Sequence, residues 1–543
     1  MLEGLMQHDY PLTLQLLLDR MRRVYADSEV VSVRQEERTR ASYGEVVERS
    51  ERLAKALEEL GVQQGDRVAT FAWNTREHLE AYLAVPCMGA VLHTLNVRLF
   101  ADQLTYIVNH AEDRVILVED SLVPVVAPLA PAFETVEHYL VIGDGPTTDL
   151  PNAQSYEELL EKQTSGFQFP DLDDRQAAGL CYTSGTTGNP KGVLYSHRSN
   201  ILHALGQCMA DSIGMTSDDR VMPVVPMFHA NAWGIPYGCT MTGADLIMPG
   251  SNLKAEALAK LIEEERVTSS AAVPTIWMDL LRYADEHHPD LSSVRQVICG
   301  GSAVPLSLMQ QFQQSHNVKI IQAWGMTETS PLGSVARPPH KATEDEHWHY
   351  RGTAGRPSPL VEARLIRDGG KEEVPWDGTS TGELEVRGPW VARAYYKDDQ
   401  SEAKFDDGWL RTGDIAAIDE RGYIMISDRA KDVVKSGGEW ISSVELEIHI
   451  MAHEKVQEAA VIAMKHERWG ERPLACVVLE PDADLTLEEL NEHLAQKVAK
   501  WWLPDELAVI DEVPKTSVGK FDKKVLRRQL EEGLLSRMSA APG

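Results

Sequence analysis

The chain is short of four things, and each shortage excludes a class of function. Positive charge is the first: 53 lysines and arginines stand against 83 acidic residues, a formal net charge of −30. So acidic a surface repels a phosphate backbone, which argues against nucleic acid as a partner and leaves any anionic ligand dependent on local cations. Cysteine is the second. The six (Cys87, Cys181, Cys208, Cys239, Cys299 and Cys476) are scattered, with no Cys-x-x-Cys pair, and most lie in apolar runs. That pattern predicts reduced core thiols rather than a disulfide framework or a zinc site. Third, no apolar run is long enough to span a bilayer. Fourth, the opening Met-Leu-Glu-Gly-Leu-Met-Gln-His-Asp-Tyr has neither a basic start nor an apolar run, so no signal peptide is evident. Together these features predict a cytoplasmic protein.

What is there is the composition of a globular enzyme. The chain is 43% hydrophobic and 25% charged over 543 residues, room for roughly two to four domain-sized units. Residues 12–23 carry apolar side chains at helical spacing and predict an amphipathic helix. Its stripe belongs to the core unless it serves a homodimer contact. Strand patterns at 68–73 and 115–118 flank a helix at 77–85. Residues 144–175 are polar and loop-rich and read as a subdomain boundary. Helix 255–265, strand 269–273, strand 294–299, helix 306–314 and strand 318–321 then alternate, which predicts parallel sheets covered by helices. Residues 379–388 are β-rich. After 432 the pattern restarts with helix 443–451, strands 458–464 and 474–479, and helix 487–499, a unit of about a hundred residues able to fold by itself. The expected class is α/β. A large N-terminal domain of stacked, helix-covered sheets with a β-rich subdomain (1–427) is joined by a linker (428–432) to a small α+β C-terminal domain (433–543).

One stretch organises the rest: Tyr182-Thr183-Ser184-Gly185-Thr186-Thr187-Gly188-Asn189-Pro190-Lys191-Gly192. Its glycines bring backbone N–H groups close to a ligand, its Ser and Thr hydroxyls add donors, and Lys191 adds charge. That is the chemistry of a cradle for a phosphate chain. It is not a Walker A loop, because Pro190 stands where the second glycine belongs and Gly192 where the hydroxyl belongs. The flanks 177–182 and 192–196 read as strands, so the loop joins strand to strand and no helix N-terminus receives the phosphates directly.

This loop resembles that of the adenylate-forming superfamily of acyl-CoA synthetases, luciferases and peptide-synthetase adenylation domains. Later segments follow in the family's order, from about the first helix nearly to the C-terminus, and the chain is most similar to the medium- to long-chain fatty acyl-CoA synthetases. The resemblance implies an ATP-dependent acid–thiol ligase. A fatty acid is activated as acyl-AMP with release of pyrophosphate, and the acyl group then passes to CoA. ATP, Mg²⁺, CoA and a small-molecule carboxylic acid are the implied ligands. A ligase for a short-chain or aryl acid and a luciferase-like oxidase share these motifs.

Residue by residue, the resemblance implies nucleotide contacts at Thr183, Ser184, Gly185, Thr186, Thr187, Gly188 and Lys191. The slim segment Gly301-Ser302-Ala303 is implied as the surface on which adenine lies. In Gln322-Ala323-Trp324-Gly325-Met326-Thr327-Glu328, Trp324 offers adenine a ring and Thr327 can donate to the α-phosphate. Glu328 is a hard oxygen ligand suited to Mg²⁺, with Thr183 implied as the second protein contact to that ion. Many relatives have Gly and Tyr where this chain has Ala323 and Trp324, so an added methyl narrows the expected acyl pocket. His229 and Ala230 border the implied carboxylate pocket, and Trp233 is the implied gate of an acyl tunnel. Asp414 and Arg429 are implied at the ribose. Lys431 lies in the implied hinge, and Lys435, Gly437, Gly438 and Trp440 in the loop that lines the CoA path. The sequence by itself does not choose among Lys515, Lys520, Lys523 and Lys524. The family motif singles out Lys520, after Gly519, to neutralise the charge gathered when a carboxylate meets a triphosphate.

Overall fold

A computed structural model describes the chain apart from residues 1, 3, 35–36, 184–188, 368–369, 399–400, 430–431, 437–438, 467, 517–520 and 540–543, with only the backbone of 439, 440 and 539. Among the described residues the strands form sheets of seven, nine, five and six strands.

The seven-stranded sheet owes its centre to unbroken apolar strands. In Asp113–Glu119 the run Val115 to Val118 is wholly buried, as expected of a parallel strand covered on both faces. The nine-stranded sheet is parallel from Lys319–Gly325 through Gln296–Gly300, Ser269–Ala272, Arg220–Pro223 and Asp245–Met248 to Glu29–Arg34. Helix Arg76–Cys87, capped by the Thr75 hydroxyl accepting from the His78 N–H, is buried at every position from Glu77 to Cys87. It packs on strands of both sheets and so lies in a shared layer between them. A face all round that is apolar or internally paired is what such a position requires.

Several expectations need correction. The sheets are parallel at their centres but carry antiparallel pairs toward three of their ends: Gly192–Ser196 and Glu37–Ser42 are antiparallel edge strands, and Leu332–Val335 pairs antiparallel with both Lys319–Gly325 and the edge strand Arg356–Pro357. Residues 144–175 do not separate subdomains. Strand Ala153–Ser155 pairs in parallel with His138–Ile142 at the edge of the seven-stranded sheet, and helix Tyr156–Glu161 buries Tyr156, Leu159 and Leu160. The segment looks loop-like because an edge strand keeps polar residues. Helix 487–499 ends at Leu494, and the chain turns so that Val498 and Trp502 pack on the small unit's core. The stripe of helix Gln15–Arg23 is core, with Leu17, Leu18 and Met21 buried within the chain.

The β-rich region is an antiparallel sheet built on Gly382–Arg387 and Trp409–Ile418. Its last strand is Ile424–Arg429. Val434–Ser436 already belongs to the six-stranded sheet, which carries helices Ser443–Met451, Leu487–Leu494 and Lys523–Glu531. The expected linker 428–432 therefore begins two residues too early: Asp428 and Arg429 are still paired in the antiparallel sheet, and the next sheet starts at Val434. All six cysteines are free, five of them buried and Cys208 half-buried. Among the described residues no helix is long and apolar enough to cross a membrane.

Candidate active site

The expected phosphate loop springs from two antiparallel strands, Ala177–Tyr182 and Gly192–Ser196, with the bounds read from the sequence. Ser184, Gly185, Thr186, Thr187 and Gly188 lie outside the described residues. Its stem is visible: the Thr183 N–H donates to the Lys191 carbonyl at 2.9 Å. Lys191 Nζ is 2.8 Å from Asp398 Oδ2 and 4.9 Å from the centre of the Tyr395 ring. Gly192 permits a close approach here, because a Cβ would sit 3.2 Å from Tyr396 Cβ. The Tyr396 N–H uses that closeness to donate to the Gly192 carbonyl at 2.8 Å.

Across from the loop, strand Lys319–Gly325 runs into a short 3-10 turn, Thr327–Thr329. Gln322 is tied at both ends of its amide, Oε1 accepting from the Val304 N–H at 3.1 Å and Nε2 donating to the Thr353 carbonyl at 2.9 Å. That bond holds Gly301, Ser302 and Ala303 beside the strand, where Ala323 pairs with Gly300. The Trp324 indole N–H donates to Asp414 Oδ2 at 2.9 Å, and Arg429 Nε lies 2.6 Å from Asp414 Oδ1. Trp324, Asp414 and Arg429, spread over more than a hundred positions, thus meet as one cluster, with both Asp414 oxygens engaged. Thr327 and Glu328 are buried. The Thr327 carbonyl accepts from the Tyr195 hydroxyl at 2.8 Å, and Glu328 Oε1 from the Tyr395 hydroxyl at 2.6 Å. Burial pushes the nearby Lys404 ammonium below its ordinary value, against the pull of Glu328, Glu383 and Asp414.

The segment expected beside the acyl group is conformationally unusual. Ala230, Asn231, Ala232, Trp233 and Gly234 all have positive φ, between 43° and 74°. The Trp233 ring lies 3.4 Å from the point a Cβ would take on Gly300, and both Trp233 and Ala323 pack on the central core. Trp233 and Ala323 therefore share one wall, with Ala230 buried and His229 half-buried behind them.

In the small unit, Lys435 pairs across a two-stranded ladder with Trp440, and its N–H donates to Glu471 at 2.7 Å. Lys431, Gly437, Gly438 and Lys520 lie outside the described residues, as does the Trp440 side chain. Two of the four candidate lysines are engaged structurally: Lys515 Nζ is 2.6 Å from Glu458, and the buried Lys523 is 2.6 Å from Glu447.

Sequence reasoning missed Tyr395 and Asp398, which touch the loop lysine and Glu328. They sit in a run, Arg393-Ala-Tyr-Tyr-Lys-Asp, with no charge pattern or spacing that points at a site. Only the tertiary contact reveals them. The donor set suits Mg²⁺, which takes one or two protein oxygens and completes its shell with phosphates and water. Glu328 Oε2 accepts no hydrogen bond among the described residues, and no cluster of three or more His, Cys, Asp or Glu able to hold a metal occurs among them.

Comparison with known proteins agrees in extent and order. The model of the AMP-binding enzyme family matches residues 18–396, and that of the AMP-binding enzyme C-terminal domain matches 445–520. The chain is 43% identical to a 3-methylmercaptopropionyl-CoA ligase of Ruegeria lacuscaerulensis, over 96% of this chain and 98% of that one. It is 42% identical to a medium-chain-fatty-acid–CoA ligase of Ectopseudomonas oleovorans (96% and 97% covered) and 44% to a long-chain-fatty-acid–CoA ligase of Thermus thermophilus (96% and 96%). Its fold is similar to the crystal structure of the anthranilate CoA ligase AuaEII with anthranoyl-AMP, with a TM-score of 0.87 at 25% identity over 97% of this chain and 99% of that one. With family models matching both parts of the chain and relatives more than 40% identical over nearly its whole length, this protein belongs to the AMP-binding enzyme family.

Proposed function

We propose that the protein is an ATP-dependent fatty acid–CoA ligase acting on medium- to long-chain acids. The observation that carries this reading is an identity above 40% over nearly the whole chain to two fatty-acid–CoA ligases, in a chain whose fold brings Lys191 and Glu328 together on Tyr395 and Trp324 onto Asp414. A fatty carboxylate oxygen attacks the α-phosphorus of ATP, and the bond to the pyrophosphate breaks. The sulfur of CoA then attacks the acyl carbonyl carbon, AMP leaves, and the thiol proton passes to solvent. Adenylation replaces a poor leaving group with a good one.

Each residue has a role in that scheme. Thr183 to Gly188 and Lys191 cradle the phosphates, and Thr327 donates to the α-phosphate. Glu328 and Thr183 would hold Mg²⁺, which supplies charge neutralisation on the triphosphate when bound. Gly301 to Ala303, Gln322 and Trp324 receive the adenine, while Asp414 exchanges its bonds to Trp324 and Arg429 for the ribose diol. His229, Ala230, Trp233 and Ala323 line the acid's path. Lys520 serves adenylation, and the linker 428–432 turns to bring Lys435, Gly437, Gly438 and Trp440 to the CoA path.

The similarity to a 3-methylmercaptopropionyl-CoA ligase favours a second reading, a short acid, and Ala323 with its extra methyl points the same way. The deciding measurement is kcat/KM over straight-chain acids from short to long, with 3-methylthiopropionate and an aryl acid included. Ala323→Gly should shift the profile toward longer chains, each newly buried methylene contributing about 0.8 kcal/mol. Trp233→Ala should open the entrance and weaken the dependence of acid binding on prior ATP. Identical profiles in parent and variants, or a maximum at the short thioether acid, would remove the fatty-acid assignment.

A further inference from the structure

The segment after Trp390 crosses the site as a strap. The Ala392 N–H donates to the Glu328 carbonyl at 2.7 Å, and the Tyr395 hydroxyl to Glu328 Oε1 at 2.6 Å. On its other side the same segment holds the phosphate-loop stem, through the Tyr396 N–H on Gly192 and Asp398 on Lys191. Tyr395 touches both halves, since its hydroxyl reaches Glu328 and its ring faces Lys191 Nζ at 4.9 Å. Tyr395 is only 7% exposed and Glu328 6%, so water does not replace the bond between them.

A carboxylate that binds Mg²⁺ must present one oxygen in a nearly fixed place, because this ion tolerates little departure from octahedral geometry. A hydrogen bond to the other oxygen supplies that restraint. A phenol is well suited to give it, since it donates without bringing a positive charge that would compete with the cation. Its electron-rich face also attracts an ammonium.

We propose that Tyr395 is a positioning residue for nucleotide binding, its hydroxyl restraining Glu328 Oε1 so that Oε2 is left for the divalent cation on the phosphate chain, and its ring seating Lys191 on the phosphate loop. This rests on the reading of Glu328 as a metal ligand, and the test separates the two. ATP binding without acid or CoA is measured by titration calorimetry across a Mg²⁺ series, and in EDTA, for the parent, Tyr395→Phe, Tyr395→Leu, Glu328→Gln and the double variant Tyr395→Phe/Glu328→Gln. Thermal unfolding confirms that each is folded. Tyr395→Phe should raise the Mg²⁺ concentration needed for half-maximal ATP binding about tenfold, the scale of one hydrogen bond to a charged group. Binding in EDTA should be unchanged. Tyr395→Leu, which also removes the ring, should weaken binding in EDTA as Lys191→Met does. The double variant should be no worse than Glu328→Gln, because Tyr395 acts through that carboxylate. Should Tyr395→Phe not fold, Tyr395→His, which keeps a ring and a donor, takes its place and should show a smaller shift of the same sign. A raised Mg²⁺ requirement in Glu328→Gln without one in Tyr395→Phe, or additive losses in the double variant, overturns the proposal alone. An unchanged Mg²⁺ requirement in Glu328→Gln overturns the metal reading and the proposal with it.

Discussion

Two single residues carry predictions of opposite kinds, one functional and one about stability. The family motif singles out Lys520 among four lysines. The structure adds that Lys515 and Lys523 are bound to Glu458 and Glu447. If Lys520 neutralises charge at adenylation, Lys520→Ala should lose acyl-AMP formation by roughly 10²–10³ while CoA transfer from supplied acyl-AMP survives; equal loss of both steps would refute the role. Glu119 is a buried acid whose carboxyl is raised from 4.5 to about 7 by burial, partly offset by the Trp73 N–H it accepts at 3.2 Å. Its folded form holds a proton more tightly than the unfolded chain does. Stability from this group is therefore greatest below pH 4.5 and is lost as pH rises to about 7. Glu119→Gln removes the penalty. Its stability advantage over the parent should grow across that window to about 3 kcal/mol and stay level above it. Denaturant unfolding of the two proteins across pH checks this, and a pH-independent difference would refute it.

At the scale of elements, the turn Ala230 to Gly234 is the most demanding piece of backbone. A left-handed conformation costs an L-residue roughly 1–2 kcal/mol, and here four non-glycine residues adopt it in succession. Buried polar side chains hold it, with Gln207 donating to the Gly234 carbonyl at 2.6 Å and the Tyr82 hydroxyl 3.4 Å from Asn231 Oδ1. Such strain gathers at functional sites, in keeping with the acid-binding role proposed for Trp233. At Gly234 a Cβ would come within 2.5 Å of His203. Gly234→Ala should cost more than about 2 kcal/mol in thermal unfolding, and should raise the KM for the acid while leaving that for ATP near the parent's. A neutral substitution would mean that the turn is not held as described. The strands flanking the phosphate loop were legible to the residue, because an apolar run broken by Ser, Gly and Pro marks both ends locally. The left-handed turn was not, since Phe-His-Ala-Asn-Ala-Trp contains no glycine to announce it.

At the scale of the molecule, the proposed catalytic cycle turns on the linker between the antiparallel sheet and the small unit. Asp428, at the end of the last large-domain strand, accepts from the Ser443 N–H of the small unit at 2.6 Å, and Asp432 pairs with Arg527. The junction is thus flanked by specific bonds rather than by a slack tether. Proline fixes φ and removes a donor, so Lys431→Pro should trap one arrangement and uncouple the half-reactions. Adenylate formation and thioester formation, assayed separately, should change by unequal factors; parent rates for both would move the hinge elsewhere.

Periodicity and loop composition determined the α/β class and the strands 177–182 and 192–196 on either side of the glycine-rich loop, because each is written in neighbouring residues. The motifs that carry the family resemblance are equally local, and so the expected site residues could be named before any fold was known. Which strands close each sheet, and in which direction, depended on partners far along the chain. So did the meeting of Trp324 with Asp414 and of Tyr395 with Glu328, pairs separated by 90 and 67 positions. Side chains that distant meet only when sheets and helices have packed. Burial then decides which polar groups must find a partner, and the buried Tyr395 hydroxyl meets Glu328 by that requirement.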